Sequence, residues 1–372
     1  MHDERERDEN DNTEQTIPAR PVTRVAGIAL LLLLVFGLVA SALNPNLFER
    51  HDGADLVTGE WTSRYQADYE GGLLIQEPST HLWSLARWVL FGEGRPGVVV
   101  GSDGWLFTRE EFLYYEDEAR QVEHCLDYSS TVRDTLAESG IELVVALVPA
   151  KARIHEERLG RRPLPSYTRD RYANFRAALV ERGIAAPDLA AALAAVGPGE
   201  EAFLRTDTHW TPAGASAAAE ALAADIASVL ERTSASRISY VRRRGETVVH
   251  EGDLLSFIPL GPFQERFGPE PDRVASVTTQ ATSEPDVGLF GEIEIPVTLV
   301  GTSYSAGELW DFAGAIQRSV EADVLNVAVS GEGPFVPMRD YLESETIRDT
   351  PPRVVVWEIP ERYLPVSYPV GE

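Results

Sequence analysis

The chain has 372 residues, enough for two domains or one large α/β unit, and its 44% hydrophobic and 25% charged residues are the composition of an ordinary folded protein. Acidic residues outnumber basic ones 59 to 33, a net charge of −26 that repels phosphate backbones and sets nucleic acid aside as a partner. A single cysteine, Cys125, excludes an internal disulfide and cysteine-rich zinc sites.

The acidic head from Met1 to about Gln15 reads as disordered, within a cytoplasmic tail covering residues 1–24. Val25 to Leu43 is a run of 19 residues without a charge, long enough to cross about 30 Å of hydrocarbon as one helix. Arg20 and Arg24 precede it, whereas Glu49, Asp52 and Asp55 outnumber Arg50 behind it. The positive-inside bias therefore places the tail in the cytoplasm and the remainder outside the inner membrane. Ala40-Ser41-Ala42 also fits a signal-peptide cleavage site, which is the competing reading; the long acidic segment ahead of the apolar run favours a retained anchor. Residues 44–71 read as a linker with Asn-Pro turn signals, and residues 72–372 as the folded domain, opening with a helical stretch around Leu82 to Phe91.

Short β-branched runs follow at Val98–Val100, Glu142–Val148, Val297–Val300, Val324–Val329 and Arg353–Trp357, with helical stretches between them. Their near-continuous apolar character predicts strands buried on both faces. That is the signature of a mostly parallel sheet covered by helices on each side, a three-layer α/β sandwich. A helix is predicted from Thr211-Pro212, a good N-cap and N1 pair, to about Glu231. Residues 240–290 are rich in turn formers and charge, and read as an irregular insertion with few regular elements.

Two places carry chemistry, both at strand-to-helix ends, where open α/β sheets build their sites. In Thr206-Asp207-Thr208-His209-Trp210-Thr211-Pro212, an aspartate two residues from a histidine on an extended loop projects to the same side. The carboxylate can then fix the imidazole tautomer and make His209 a general base. A helix-terminus cluster or a metal ligand pair explains the same spacing. In Val297–Ser305 a buried strand runs through Gly301 towards a helix predicted over 306–320, presenting Ser303 at the strand tip. Its hydroxyl could attack a carbonyl while its own N–H helps hold the oxyanion, or Ser303 or Ser305 merely caps the helix. Together the two places supply nucleophile, base and orienter. The remaining histidines lack metal-binding spacings, so neither a metal nor another cofactor is expected.

Four blocks in order now resemble a family: Gly101-Ser102-Asp103-Gly104-Trp105-Leu106-Phe107, then Asp207-Thr208-His209-Trp210, then Gly301-Thr302-Ser303, then Trp357-Glu358-Ile359-Pro360-Glu361-Arg362-Tyr363-Leu364. They look like the signature of the alginate O-acetyltransferases of the AlgJ and AlgX kind, over roughly Gly72 to Leu364. The resemblance implies an SGNH-hydrolase-like fold in the bacterial periplasm, with a triad falling on Ser303, His209 and Asp207. The Asp/His pair comes before the serine, the reverse of the usual SGNH order. It implies an O-acetyltransferase that moves acetyl groups through a serine acyl-enzyme onto an exopolysaccharide such as alginate, supplied by a multi-pass membrane O-acyltransferase. The anchor and the short C-terminus, with no room for a carbohydrate-binding module, look AlgJ-like. A carbohydrate acetylesterase would use the same residues, and a non-catalytic polysaccharide-binding scaffold of an export complex is the reading from another class.

Several residues stay open. The usual SGNH asparagine block is not evident, so Gly331 and Gly333, after a predicted strand, are candidate oxyanion donors unless they form a simple turn. Trp105 and Trp210 could stack on a sugar or belong to the core, and Tyr304 beside the serine is a further substrate-binding candidate. Lys151 to Arg182 holds nine basic residues against four acidic. A uronate polymer could be held there, with Lys151 and Arg153 as candidate contacts, or the charges simply form a solvated face.

Overall fold

The computed structural model describes residues 21–46, 57–73, 75–160, 162–197, 199–233, 235, 237–282 and 294–368. The expected disordered head, residues 47–56 of the expected linker and residues 283–290 of the expected insertion lie outside the described residues. The chain divides into two compact units, residues up to Leu82 and residues from Trp83 onward. In the first, the apolar run forms the helix Pro21–Ala42, with Leu30 to Leu34 all exposed along it. It is long and apolar enough to cross a membrane, and a signal sequence would pass the same test. A second helix, Glu60–Gly71, occupies part of the expected linker.

The second unit contains the strands β1 (Val98–Val100), β2 (Leu106–Thr108), β3 (Glu142–Val148), β4 (Tyr240–His250), β5 (Asp272–Ala281), β6 (Val297–Val300), β7 (Val324–Asn326) and β8 (Val354–Pro360). Strands β3, β8, β6 and β7 form one all-parallel sheet in that order. Side chains alternate across it. Val144, Ala146, Val148, Val297, Leu299, Val354 and Val356 pack under the helices Leu189–Ala194, Pro212–Thr233 and Phe312–Val320. Leu143, Val145, Leu147, Val300, Val355, Trp357 and Ile359 pack under Glu118–Glu138, Arg171–Glu181 and Phe335–Glu343. Both faces are buried, which makes the two sets of positions almost entirely apolar, and the result is the three-layer α/β sandwich expected from the sequence.

Three expectations differ. β1 is not in the parallel sheet: Asp103 and Gly104 take left-handed φ values of 53° and 77° and turn the chain straight back, so β1 pairs antiparallel with β2. The expected irregular insertion contains a long antiparallel ribbon of β4 and β5 with an irregularity between Arg244 and Thr247. β4 is exposed along most of its length, so it has no apolar alternation to reveal it; β5 supplies the buried Val274 and Val277. The helix expected over 306–320 is broken into Ser303–Ala306 and Phe312–Val320. In the break, the Trp310 indole fills the place where a side chain on Gly307 would stand, 2.0 Å from its Cβ position.

Candidate active site

β6 is an inner strand with parallel neighbours on both sides, so the turn after it opens at the carboxyl edge of the sheet, where side chains from several loops converge. In that turn Thr302 is the N-cap of the short helix, its Oγ1 accepting the Tyr304 N–H at 3.3 Å. Because Thr302 does the capping, Ser303 is free: its Oγ lies 2.7 Å from Nε2 of His209. Ser303 is half-buried between the buried Thr302 and Tyr304.

The turn is fixed from β8. Glu358 is fully buried, and its Oε2 accepts the Thr302 N–H at 2.7 Å and the hydroxyls of Thr302 and Ser305 at 3.0 Å each. Burial raises the Glu358 pKa, while the Thr302 N–H and the two hydroxyls work against that rise. Gly301 is required by this approach and not by a left-handed φ. A Cβ there would stand 2.5 Å from Glu358 Oε2 and 2.8 Å from its Cβ.

The loop bearing Asp207 and His209 is closed by an isolated bridge between Phe203 and Trp210 and held at nearly every residue. Asp272 accepts the N–H groups of Arg205 and Thr206, at 2.9 and 2.8 Å, and the Thr206 hydroxyl at 2.6 Å. Asp253 accepts the N–H and hydroxyl of Thr208, at 2.9 and 2.5 Å. Behind the loop, Lys151 Nζ donates to the carbonyls of Leu106, Arg205 and Asp207 at 2.6, 3.0 and 2.8 Å.

Within this frame Asp207 Oδ1 accepts the His209 N–H at 2.9 Å and lies 2.6 Å from His209 Nδ1. A carboxylate only accepts, so Nδ1 carries the proton and Nε2 faces the serine as a base. Oδ2 accepts the Asp253 N–H at 3.1 Å and lies 2.7 Å from Nε2 of His250. Burial opposes the charge on Asp207, but the hydrogen bonds from His209 and His250 outweigh it and hold the carboxyl well below the usual carboxylate range. The His209 ring is wedged between Trp310, stacked at 4.6 Å and 14°, and Tyr304 at 4.8 Å. Asp207, His209 and Asp253 offer ligand atoms within 4.8 Å of one another. Those of Asp207 and His209, like the Asp253 carboxylate, are engaged in the hydrogen bonds above, which a cation would have to displace. The arrangement is suited to deprotonating an alcohol and carrying an acyl group on it.

The expected substrate contacts are placed differently. Lys151 is 1% exposed and its three protons are all donated to carbonyls, so it cannot reach a polymer; burial lowers its pKa to about 8. Arg153 is tied to Glu361 at 2.6 and 3.1 Å and to the carbonyls of Thr168 and Arg169. Trp210 and Tyr304 are core residues, the indole donating to the Tyr304 carbonyl and the phenol to the Thr208 carbonyl. Trp105 is buried under Lys151 Nζ, 5.1 Å from its ring centre. Gly331 and Gly333 follow β7 with left-handed φ values of 89° and 70°, which is a turn requirement in its own right. Just before them the Val329 N–H donates to the Gly301 carbonyl at 3.1 Å, so that segment runs beside the serine turn. A cavity of about 590 Å³ is lined by Trp105, Arg205, Arg242, Arg244, Glu270 and Asp272 among others, and Ser303 is not part of its wall.

Sequence reading did not single out His250, Asp253, Asp272, Trp310 or Glu358 for the site. Only Glu358 left a signal, as the one charge in the apolar strand Val-Val-Val-Trp-Glu-Ile-Pro.

Residues 98–361 match the family described as SGNH hydrolase-like domain, acetyltransferase AlgX. The chain is 40% identical over 328 residues to the probable alginate O-acetylase AlgJ of Azotobacter vinelandii, covering 87% of this chain and 84% of that protein. It is 39% identical over 353 residues to the probable alginate O-acetylase AlgJ of Pseudomonas syringae pv. tomato, covering 94% and 90%. Among solved structures it is similar to the O-acetyltransferase domain of Pseudomonas putida AlgJ, with a TM-score of 0.66 and 41% identity over 74% of this chain and 95% of that one. The structure of Pseudomonas aeruginosa AlgX has a TM-score of 0.57 at 23% identity, over 74% and 67%, a likeness of fold alone.

Proposed function

The chain belongs to the SGNH hydrolase-like acetyltransferase family of AlgX, and on that premise we propose that it carries acetyl groups on Ser303 and transfers them to hydroxyls of an exopolysaccharide. The observation that carries this reading is the continuous path from Asp207 Oδ1 through His209 to Ser303 Oγ, with contacts of 2.6 and 2.7 Å. His209 Nε2 takes the Ser303 proton as Oγ attacks the acetyl carbonyl of the donor. The tetrahedral intermediate collapses, and the leaving group departs with the proton from His209. A sugar hydroxyl then gives its proton to His209 and attacks the acetyl-serine, releasing the ester and restoring Ser303 when His209 returns the proton. Asp207 holds the tautomer throughout. The oxyanion is received by the Ser303 N–H, with the N–H groups of Gly331 and Gly333 as further donors on the neighbouring segment.

The names of the AlgJ relatives point to alginate as the acceptor. The helix Pro21–Ala42 serves as a single-pass inner-membrane anchor with the catalytic domain in the periplasm. Acetyl groups originate in the cytoplasm, so a multi-pass membrane O-acyltransferase hands them across the bilayer. Incubation with a soluble acetyl ester and an alginate oligosaccharide tests the reading: acetylated oligosaccharide is the expected product. Free acetate as the sole product would replace transfer by hydrolysis, and no turnover by folded protein would leave a binding scaffold.

A further inference from the structure

Asp207 does not serve His209 alone. Its second oxygen faces His250 Nε2 at 2.7 Å, at the last residue of β4. His250 lies in register with Asp272 across the ribbon, but the Asp272 carboxylate is engaged with Arg205 and Thr206. Asp207 is an acceptor, so His250 Nε2 carries a proton, and a second proton on Nδ1 makes the ring a cation. The groups facing it are Asp207 from the loop, Asp272 from β5 and Asp253 from the turn after β4. His209 stands on the far side of the same carboxylate, and the Lys151 ammonium lies behind at the Asp207 carbonyl. The hydrogen bond to Asp207 raises the His250 pKa, burial opposes it, and the charges of the three aspartates add to the rise. The side chain is 26% exposed, so protons exchange with solvent.

We propose that His250 is a positioning residue for acyl transfer: as a cation it shares Asp207 with His209 and thereby sets the lower pH limit of Ser303 reactivity. The inference rests on the roles assigned above to Ser303, His209 and Asp207. A carboxylate facing one imidazole stabilises a positive charge there with its whole field. A second cation on the opposite oxygen cancels part of that field, so the site keeps its reactivity into more acidic solution. The ribbon of β4 and β5 is thus an electrostatic partner of the site as well as its clamp.

The test is the pH dependence of p-nitrophenyl acetate hydrolysis by the full chain in detergent. His250→Gln keeps a donor for Asp207 but cannot take a proton, and should move the acid limb of the rate profile up by about one pH unit. His250→Arg keeps a permanent cation and should leave the limb at the wild-type position. A purely structural contact would lower the plateau and leave the limb unmoved in both. Coincident limbs for wild type and His250→Gln, or equal shifts in the two variants, overturn the inference. If neither variant folds, the histidine NMR titration of Ser303→Ala decides: the His250 signal must titrate above its ordinary 6.5, and a ring neutral at that pH overturns the inference. Ester hydrolysis by Ser303→Ala at the wild-type rate would instead remove the assigned role of Ser303.

Discussion

Glu358 Oε2 accepts the Thr302 N–H at 2.7 Å, so a carboxylate near the end of the chain fixes the backbone one residue ahead of Ser303. The same oxygen takes two hydroxyls, and the approach is close enough that Gly301 tolerates no side chain. A buried acid in this position would be costly if its only role were to be buried; three donors aimed at it explain its presence.

Glu358→Ala should therefore leave three buried donors without an acceptor and destabilise the protein by about 3–5 kcal/mol. Gly301→Ala should cost about 1–3 kcal/mol through overpacking against Glu358. Denaturant titration of both variants reads the losses, and ester turnover by the folded fraction should fall at least tenfold as the Ser303 turn loosens.

Lys151→Met should lower stability by about 1–3 kcal/mol, because the carbonyls of Leu106, Arg205 and Asp207 lose their shared donor. A residue that gripped the polymer would raise KM for the oligosaccharide with stability intact. The buried ammonium makes the opposite outcome the expected one: denaturation shifts, while KM of the folded fraction stays put.

Asp207 gives a pH signature. Its carboxyl is depressed below the unfolded value of 3.8, so its contribution to stability is fully present above that value. As pH falls below 3.8 the unfolded chain takes up the proton first, and the contribution drains away towards the folded pKa. The stability difference between wild type and Asp207→Asn should thus be constant from pH 5 to 6 and shrink steadily below about pH 4.

Three strands could be read from sequence because burial on both faces makes β3, β6 and β8 apolar at successive positions, whereas β7, a half-buried edge strand, was legible only through the short apolar run that opens at Val324. β1 has the same local composition in only three residues, too few to tell a hairpin from a parallel strand. β4 escaped because it lies exposed and is held by backbone pairing to β5. The serine turn and the Asp207 loop stood out because each combines reactive side chains with a strand or helix end. His250 and Asp272 did not, and the lone charge at Glu358 said nothing of its role, since these roles depend on which strands become neighbours, and β8 lies beside β6 against the order of the chain. Counting charges from Lys151 to Arg182 could not reveal that Lys151 points inward to three carbonyls, nor that Arg153 is spent on Glu361.

Mass spectrometry of the chain quenched during turnover with an acetyl ester examines the serine directly. The expected result is one acetyl group on the peptide containing Ser303 in the wild type, none in Ser303→Ala, and far less in His209→Ala. Acetylated oligosaccharide formed by Ser303→Ala at the wild-type rate, or an acetyl group trapped on a different residue, would contradict it.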